Sequence, residues 1–191
     1  NIPKDMVAGE HCGANYMYPG PFKNCENLND FTFAEGITRI PNALFIGCSG
    51  LESITIPDTV TAIRTNAFSD CLNLQSVTLP KSLTTIDGYA FSGSTALREI
   101  ILPDSVSVIG CGAFQGCTGL ERVHIPAGVR TGEYCGNNYY PGPFNGCSGL
   151  KEVTFGEGFT TMPDALFWNA TGLETITLPD TLTNISWKCF A

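Results

Sequence analysis

Histidines and grouped carboxylates are the side chains from which a catalytic or metal site is most often built, and this chain has few of them. It contains two histidines, His11 and His124, and neither lies in a nucleophile elbow, a His-Glu-x-x-His run or a phosphate-binding loop. The residues that follow proline in successive units are Asp58, Lys81, Asp104, Ala127 and Asp180. Because calcium needs several oxygen ligands together, this interrupted series predicts no calcium ladder. We expect no catalytic residue, metal or cofactor here; catalysis would need a domain outside this segment.

Cysteines offer thiol chemistry, and the chain has nine of them. Five occupy one place, three residues after a regularly spaced phenylalanine: Cys25, Cys48, Cys71, Cys117 and Cys147. Ser94 and Ala170 fill the same place in other units. A place that accepts Cys, Ser and Ala favours small residues that pack in a core, rather than a metal or disulfide site. No Cys-x-x-Cys pair and no close Cys/His spacing indicates zinc.

Two cysteines, Cys12 and Cys135, lie instead in two longer segments, 9–21 and 132–143. Each of them could pair with the cysteine of its own unit, Cys25 or Cys147, and Cys135 could instead reach Cys111 in the preceding unit. An oxidising compartment would permit such a disulfide. The sequence leaves these pairings, and the absence of any disulfide, open.

The same two segments are rich in tyrosine, glycine and asparagine, with Tyr16, Tyr18, Tyr134, Tyr139 and Tyr140. Tyrosine beside flexible backbone is typical of adaptable binding loops, since the ring gives a rigid amphipathic contact. We therefore consider these tyrosines candidate ligand contacts. The alternative is that the rings pack against an irregular part of the chain and have no ligand.

A repeat of 23 residues must position all of these side chains. Phenylalanine marks it at Phe22, Phe45, Phe68, Phe91 and Phe114, and again, after one step of 30 residues, at Phe144, Phe167 and Phe190. Leucine, branched residues and proline keep the same period, and the unit reads A-F-x-x-C-x-x-L-x-x-I-x-I-P-x-x-V-x-x-I. A fixed period of this length is typical of a solenoid.

Each unit predicts one coil of that solenoid. The segment L-x-x-I-x-I alternates as a β-strand does, and the proline after it ends the strand. One coil cannot bury its own apolar side, but stacked coils pair their strands in parallel and share a core. The sequence therefore predicts an α/β-type solenoid over residues 1–191, with a parallel sheet on its concave face and irregular or short-helical return segments.

A longer repeat lies above the first one. Residues 1–56 recur at about 124–178, so that the run Pro-Gly-Pro-Phe occurs at both 19–22 and 141–144. The chain also begins partway through a coil, and no polar capping unit is visible. These features predict a segment of a longer array that carries insertions at 9–21 and 132–143.

On the concave face, the column of outward strand residues is mostly threonine and is interrupted by Ile101 and His124. Charged residues lie beside them: Arg98, Glu99, Glu121, Arg122, Lys151 and Glu152. This mixed patch is a second candidate binding surface. A solvated strand face without a ligand is the alternative.

The overall charge limits the class of partner. A net charge of -8 and a pI near 4.6 disfavour nucleic acid and anionic membranes, because both need clustered lysine and arginine. No apolar stretch reaches the roughly 18–20 residues that a membrane span needs, so we expect no membrane insertion by this segment.

The units resemble the BspA-like leucine-rich repeats of surface proteins from host-associated bacteria and some parasitic protists. The runs A-F-S-D-C-L-N-L-Q-S-V-T-L-P at 67–80 and I-G-C-G-A-F-Q-G-C-T-G-L at 109–120 carry the resemblance. It implies an extracellular or cell-surface module that binds a host-derived matrix protein, cell-surface protein or glycoconjugate, with no shared catalytic residue. Proline replaces the usual Asn or Cys after the strand, so the backbone groups there need other partners. A structural spacer and a sugar-binding receptor-like module are the alternative functions.

Overall fold

The computed structural model describes residues 20–132 and 141–190. Most coils contain two short strands, each of which pairs in parallel with a strand of a neighbouring coil. In chain order the strands are β1 (Arg39–Ile40), β2 (Ser53–Thr55), β3 (Ala62–Ile63), β4 (Ser76–Thr78), β5 (Thr85–Ile86), β6 (Glu99–Ile101), β7 (Val108–Ile109), β8 (Arg122–Ile125), β9 (Arg130–Thr131), β10 (Glu152–Phe155), β11 (Thr161–Met162) and β12 (Asn184–Ile185). The predicted solenoid of 23-residue coils is confirmed.

The longer strands come from the L-x-x-I-x-I segments and form what we call the long-strand ladder. β2 pairs with β4, and β8 lies between β6 and β10, all in parallel. Ile100 lies opposite Val123, which in turn lies opposite Val153, and all three side chains are buried. Because side chains alternate along a strand, the residues on either side of these three point away from the core.

The return segments form a second ladder, which the residue pattern does not predict. β1, β3, β5, β7 and β9 pair in order as one parallel sheet, and β11 pairs with β12. Each strand has two residues, too few to show a period of two in the sequence. They pair because equal coil lengths bring Ile40, Ile63, Ile86 and Ile109 into register, where all four are fully buried. The described residues contain no helix, so the short-helical alternative for the return segments is wrong.

The repeated phenylalanines stack as one column through the core. The seven consecutive pairs from Phe22 to Phe190 have centroid separations of 5.0 to 5.9 Å and interplanar angles of at most 26°. Phe114 and Phe144 are 5.0 Å apart although 30 residues separate them, so the longer step at 132–143 leaves the column continuous.

The column of small residues has a role beyond packing. Ser94 Oγ donates to the carbonyl of Phe68 at 3.0 Å, and Cys71 and Cys117 donate their thiol hydrogens to Phe45 and Phe91 at 3.1 Å. Cys48 and Cys147 donate in the same way to Phe22 and Phe114. Each of these bonds joins one coil to the coil before it. We call these side chains the donor column, and their hydrogen bonds stabilise the stacking of adjacent coils.

The corner after each strand proline satisfies its backbone groups with local bonds. Val60, Leu83, Val106 and Leu182 donate their N–H groups to the carbonyls of Pro57, Pro80, Pro103 and Pro179. Hydroxyls of Thr59, Ser82, Ser105 and Thr181 add bonds to carbonyls of the preceding coil. These turns and hydroxyls replace the Asn or Cys of the general leucine-rich pattern.

Candidate binding surface

Outward side chains of the long-strand ladder form straight rows across the coils. One row contains Ile101, His124 and Thr154, which lie opposite one another on β6, β8 and β10. The neighbouring row contains Glu99, Arg122 and Glu152 in the same register. Parallel pairing holds such rows at a spacing of about 4.8 Å, so the two rows form one continuous surface.

A groove of about 810 Å³ crosses this surface. Three successive coils contribute to it, through most of the residues within 75–81 and 98–105 and through Arg122 and His124. Ile101 lies in its wall and keeps 62% of its surface exposed, whereas Thr55 and Thr78 occupy the same row in the two preceding coils. An aliphatic side chain left this exposed on a sheet face is a contact that a partner can bury.

Arginines on the rim of the groove are held by carboxylates of adjacent coils. Arg122 Nε lies 3.1 Å from Glu99 Oε1, and Arg98 Nη1 lies 3.5 Å from Glu121 Oε1. The hydrogen bond from Arg122 to Glu99 raises the pKa of that guanidinium, and the charges of Glu99, Glu152 and Glu121 act in the same direction. Both ion pairs are exposed, so they orient the arginine side chains at the rim of the groove more than they stabilise the fold.

His124 is fixed by its neighbour on the next strand. Its Nδ1 lies 2.9 Å from Thr154 Oγ1, within hydrogen-bond distance. A second, smaller hollow of about 210 Å³ lies at this place, and Ile101, Glu99, Arg122, Glu152 and Thr154 help to line it. Ile101 therefore contributes to both hollows.

The structure brings together most of the concave-face residues that the sequence suggested. Arg98, Ile101, Arg122 and His124 all line the groove. Lys151 does not; it lies at a separate shallow depression with Gly172, Glu174 and Thr175. Lys151 directly precedes β10, and its coil lies beyond the three that form the groove.

Two charged residues that line the groove are not among the candidates from the sequence, Lys81 and Asp104. Both directly follow a strand proline, in adjacent coils. From the sequence alone, their column indicates only that no calcium ladder forms. The turn after the proline brings them beside the strand face, which makes the column part of the same surface.

The tyrosine candidates Tyr16, Tyr18, Tyr134, Tyr139 and Tyr140 lie outside the described residues, and so do Cys12 and Cys135. Cys25 and Cys147 are free thiols, so neither forms the disulfide that the sequence allowed for it. The physical reason is clear for Cys147, since it is buried and its thiol donates to Phe114 in the core. Cys111, in contrast, is disulfide-bonded.

Burial suppresses thiolate chemistry in the core cysteines. Desolvation raises the pKa of Cys48 to about 11, that of Cys147 to about 12 and that of Cys189 to about 11. The same cause raises the pKa values of Cys71 and Cys117. A protonated thiol is neither a nucleophile nor a metal ligand. In residues 20–132 and 141–190, no three His, Cys, Asp or Glu side chains are grouped so as to hold a metal ion.

A comparison with known protein families shows the family of this chain. The model of the BspA type leucine rich repeat region matches six copies, over residues 15–140 and 141–191. The chain belongs to the BspA-type leucine-rich repeat family. None of the curated proteins matches the chain.

Solved structures of similar proteins agree with this assignment. A leucine-rich repeat protein from Bacteroides ovatus is 34% identical with a TM-score of 0.65, over 81% of this chain and 38% of that one. A leucine rich cell surface protein from Faecalibacterium prausnitzii is 27% identical with a TM-score of 0.54, over 83% and 32%. The pneumococcal vaccine antigen PcpA shares the fold, with a TM-score of 0.62 at 22% identity over 81% and 40%. The BspA-type chain thus spans less than half the length of each of these proteins.

The described part of this BspA-type chain contains no helix that is long and apolar enough to cross a membrane.

Proposed function

We propose that this BspA-type chain is a non-catalytic interaction module that binds a protein ligand on the long-strand face, with the groove around Ile101 as its contact. The observation that carries the proposal is the departure of two adjacent coils from the threonine row, at Ile101 and His124, in the wall of an 810 Å³ groove. A spacer would need no such departure, since threonine suits an exposed strand.

The setting in which it acts is part of the proposal. We infer that the chain works outside the cell or on its surface, as an adhesion module for a host matrix protein, a cell-surface protein or a glycoconjugate. The description of one relative as a cell surface protein supports this location. The Cys111 disulfide is also typical of an oxidising compartment.

Ile101→Thr tests the proposal with little risk to the fold. Threonine already occupies this row in neighbouring coils, at Thr55 and Thr78, so the variant is expected to fold normally. The unmodified chain and the variant would be screened by surface plasmon resonance against purified extracellular-matrix proteins and a glycan array. Leu72→Thr is the matched control, because Leu72 is 50% exposed and does not line the groove.

The expected result is specific binding that Ile101→Thr weakens and Leu72→Thr preserves. A fully buried isoleucine contributes roughly 1.5–3 kcal/mol; Ile101 is 62% exposed in the free chain, so a partner can bury most of that surface. Loss of binding on changing Tyr16, Tyr18, Tyr134, Tyr139 and Tyr140 to alanine, with no effect of Ile101→Thr, would move recognition to the insertions. Absence of binding to every protein and glycan would contradict the proposal and favour the spacer function.

A further inference from the structure

The charges around the groove differ in whether they are already paired. Glu99 and Glu121 each form an ion pair with an arginine of an adjacent coil. Within residues 20–132 and 141–190, Glu152 and Asp104 have no cation within 4.0 Å, and Lys81 has no carboxylate. Among the charges that line the groove and the smaller hollow, these three are the ones that a partner could still neutralise without breaking a pair.

Glu152 is the unpaired charge that lines the smaller hollow together with the apolar contact. It shares the smaller hollow with Ile101, and the Glu99 carboxylate lies on the other side of Arg122 in the same row. Arg122 donates its hydrogen bond to Glu99, so Glu152 keeps its capacity to accept one. An apolar wall beside an unpaired carboxylate matches a side chain that has an aliphatic stem and a cationic end.

The long-range field favours the same sign of partner. The chain carries a net charge of -8, so a cationic segment is attracted from a distance and an anionic one is repelled. Lys81 opposes this, but Asp104 occupies the same column in the next coil, so the two charges of that column cancel. The unpaired charges that line the groove and the smaller hollow, those of Glu152, Asp104 and Lys81, therefore sum to a negative value.

We propose that the groove binds a basic segment of a partner protein, in which an aliphatic side chain packs on Ile101 and a neighbouring lysine or arginine meets Glu152. This inference rests on the proposed function and adds the chemistry of the partner. The aliphatic contact supplies affinity, because Ile101 is the large apolar side chain exposed on this face. The charge contact supplies selection and a faster association rate, because exposed ion pairs are weak but steer encounters.

Synthetic nine-residue peptides test the chemistry directly. Each has a central leucine, flanked on both sides by two lysines, two glutamines or two glutamates, and carries a fluorophore for anisotropy titration with the full chain up to millimolar concentration. The lysine peptide is expected to bind best, and its affinity to fall as salt rises from 50 to 300 mM. Ile101→Thr is expected to weaken it about tenfold, which corresponds to about 1.4 kcal/mol of lost apolar contact, whereas Leu72→Thr leaves it unchanged.

Two charge variants give the sign of the partner independently. Glu152→Gln is expected to weaken the lysine peptide several-fold, and Lys81→Gln to leave it unchanged or tighten it. Stronger binding of the glutamate peptide, or a weakening by Lys81→Gln in place of Glu152→Gln, would overturn the inference. So would a lack of binding by all three peptides.

The two levels of the proposal fail separately. If a matrix protein binds and Ile101→Thr weakens it, but no peptide binds, the interaction function holds and the basic segment is wrong. If neither a protein nor a peptide binds, both are wrong.

Discussion

Removing the hydroxyl of Ser94 tests whether the donor column holds the coils together. Ser94 is completely buried, and its Oγ donates to the carbonyl of Phe68 in the preceding coil at 3.0 Å. Serine is the strongest donor in the column, since the other donors are thiols. Ser94→Ala therefore removes one inter-coil hydrogen bond and leaves an acceptor in the core without it.

The size of the effect follows from burial. A buried polar group that loses its partner costs about 1–3 kcal/mol. For a chain of this length, each kcal/mol lowers the melting temperature by about 2–4 °C. Steric strain adds nothing, because alanine is smaller than serine and Ala170 already occupies the same place, 8% exposed, in another coil. We therefore expect Ser94→Ala to lower the free energy of unfolding by about 1–3 kcal/mol.

Ser94→Cys separates the hydrogen bond from the packing. A thiol at this place has donors of the same kind on either side, at Cys71 and Cys117. It is expected to retain most of the stability that alanine loses. Guanidinium unfolding followed by far-ultraviolet circular dichroism compares the three proteins. Equal stability of Ser94→Ala and the unmodified chain, or equal losses for alanine and cysteine, would refute the role of the donor column.

Three further predictions concern the backbone, the thiols and the disulfide. Gly116 has φ +69° with open space where a Cβ would lie, so Gly116→Val is expected to lower the free energy of unfolding by about 1–2 kcal/mol through the backbone alone. Gly116→Asn is expected to cost less, because Asn24 adopts φ 57° at the equivalent place in another coil. Equal stabilities of the two variants in guanidinium unfolding would contradict this. The pKa values of buried thiols such as Cys48 and Cys147 are raised, so the folded chain retains protons that the unfolded chain loses above pH 9, and stability is expected to fall between about pH 9 and 12; unfolding curves at pH 8 and 10.5 that coincide would argue against it. Non-reducing peptide mapping is expected to join Cys111 to Cys135, and a linked peptide containing Cys147 would be the contrary result.

Repetition explains why much of the core was predictable from the sequence. Each coil of a solenoid contacts only the coils next to it, so residues of one type that recur every 23 positions stack on one another. The phenylalanine column, the parallel strands and the outward position of Ile101 and His124 all follow from that rule, and the structure has them. The place three residues after each phenylalanine is likewise predictable as part of the core, because the Cys, Ser and Ala that occupy it share little except small size.

The return segments and the donor column needed the tertiary structure. A two-residue strand such as β3 has no pattern of its own, and it exists because the neighbouring coil presents a matching backbone. The direction of the Ser94 and Cys71 hydrogen bonds depends on which carbonyl of the preceding coil lies within reach. The residue types do not encode which backbone groups of the preceding coil come within hydrogen-bond distance.

The limits of the candidate site were also decided by the fold. Columns in the sequence place Arg98, Arg122 and Lys151 alike on one face, but the groove includes the first two and excludes the third. The turn after proline brings in Asp104, and its neighbour Lys81 with it. A repeat determines which residues share a row, because each coil copies the last; the depth of the surface and the choice of ion pairs arise only when the side chains of different coils meet.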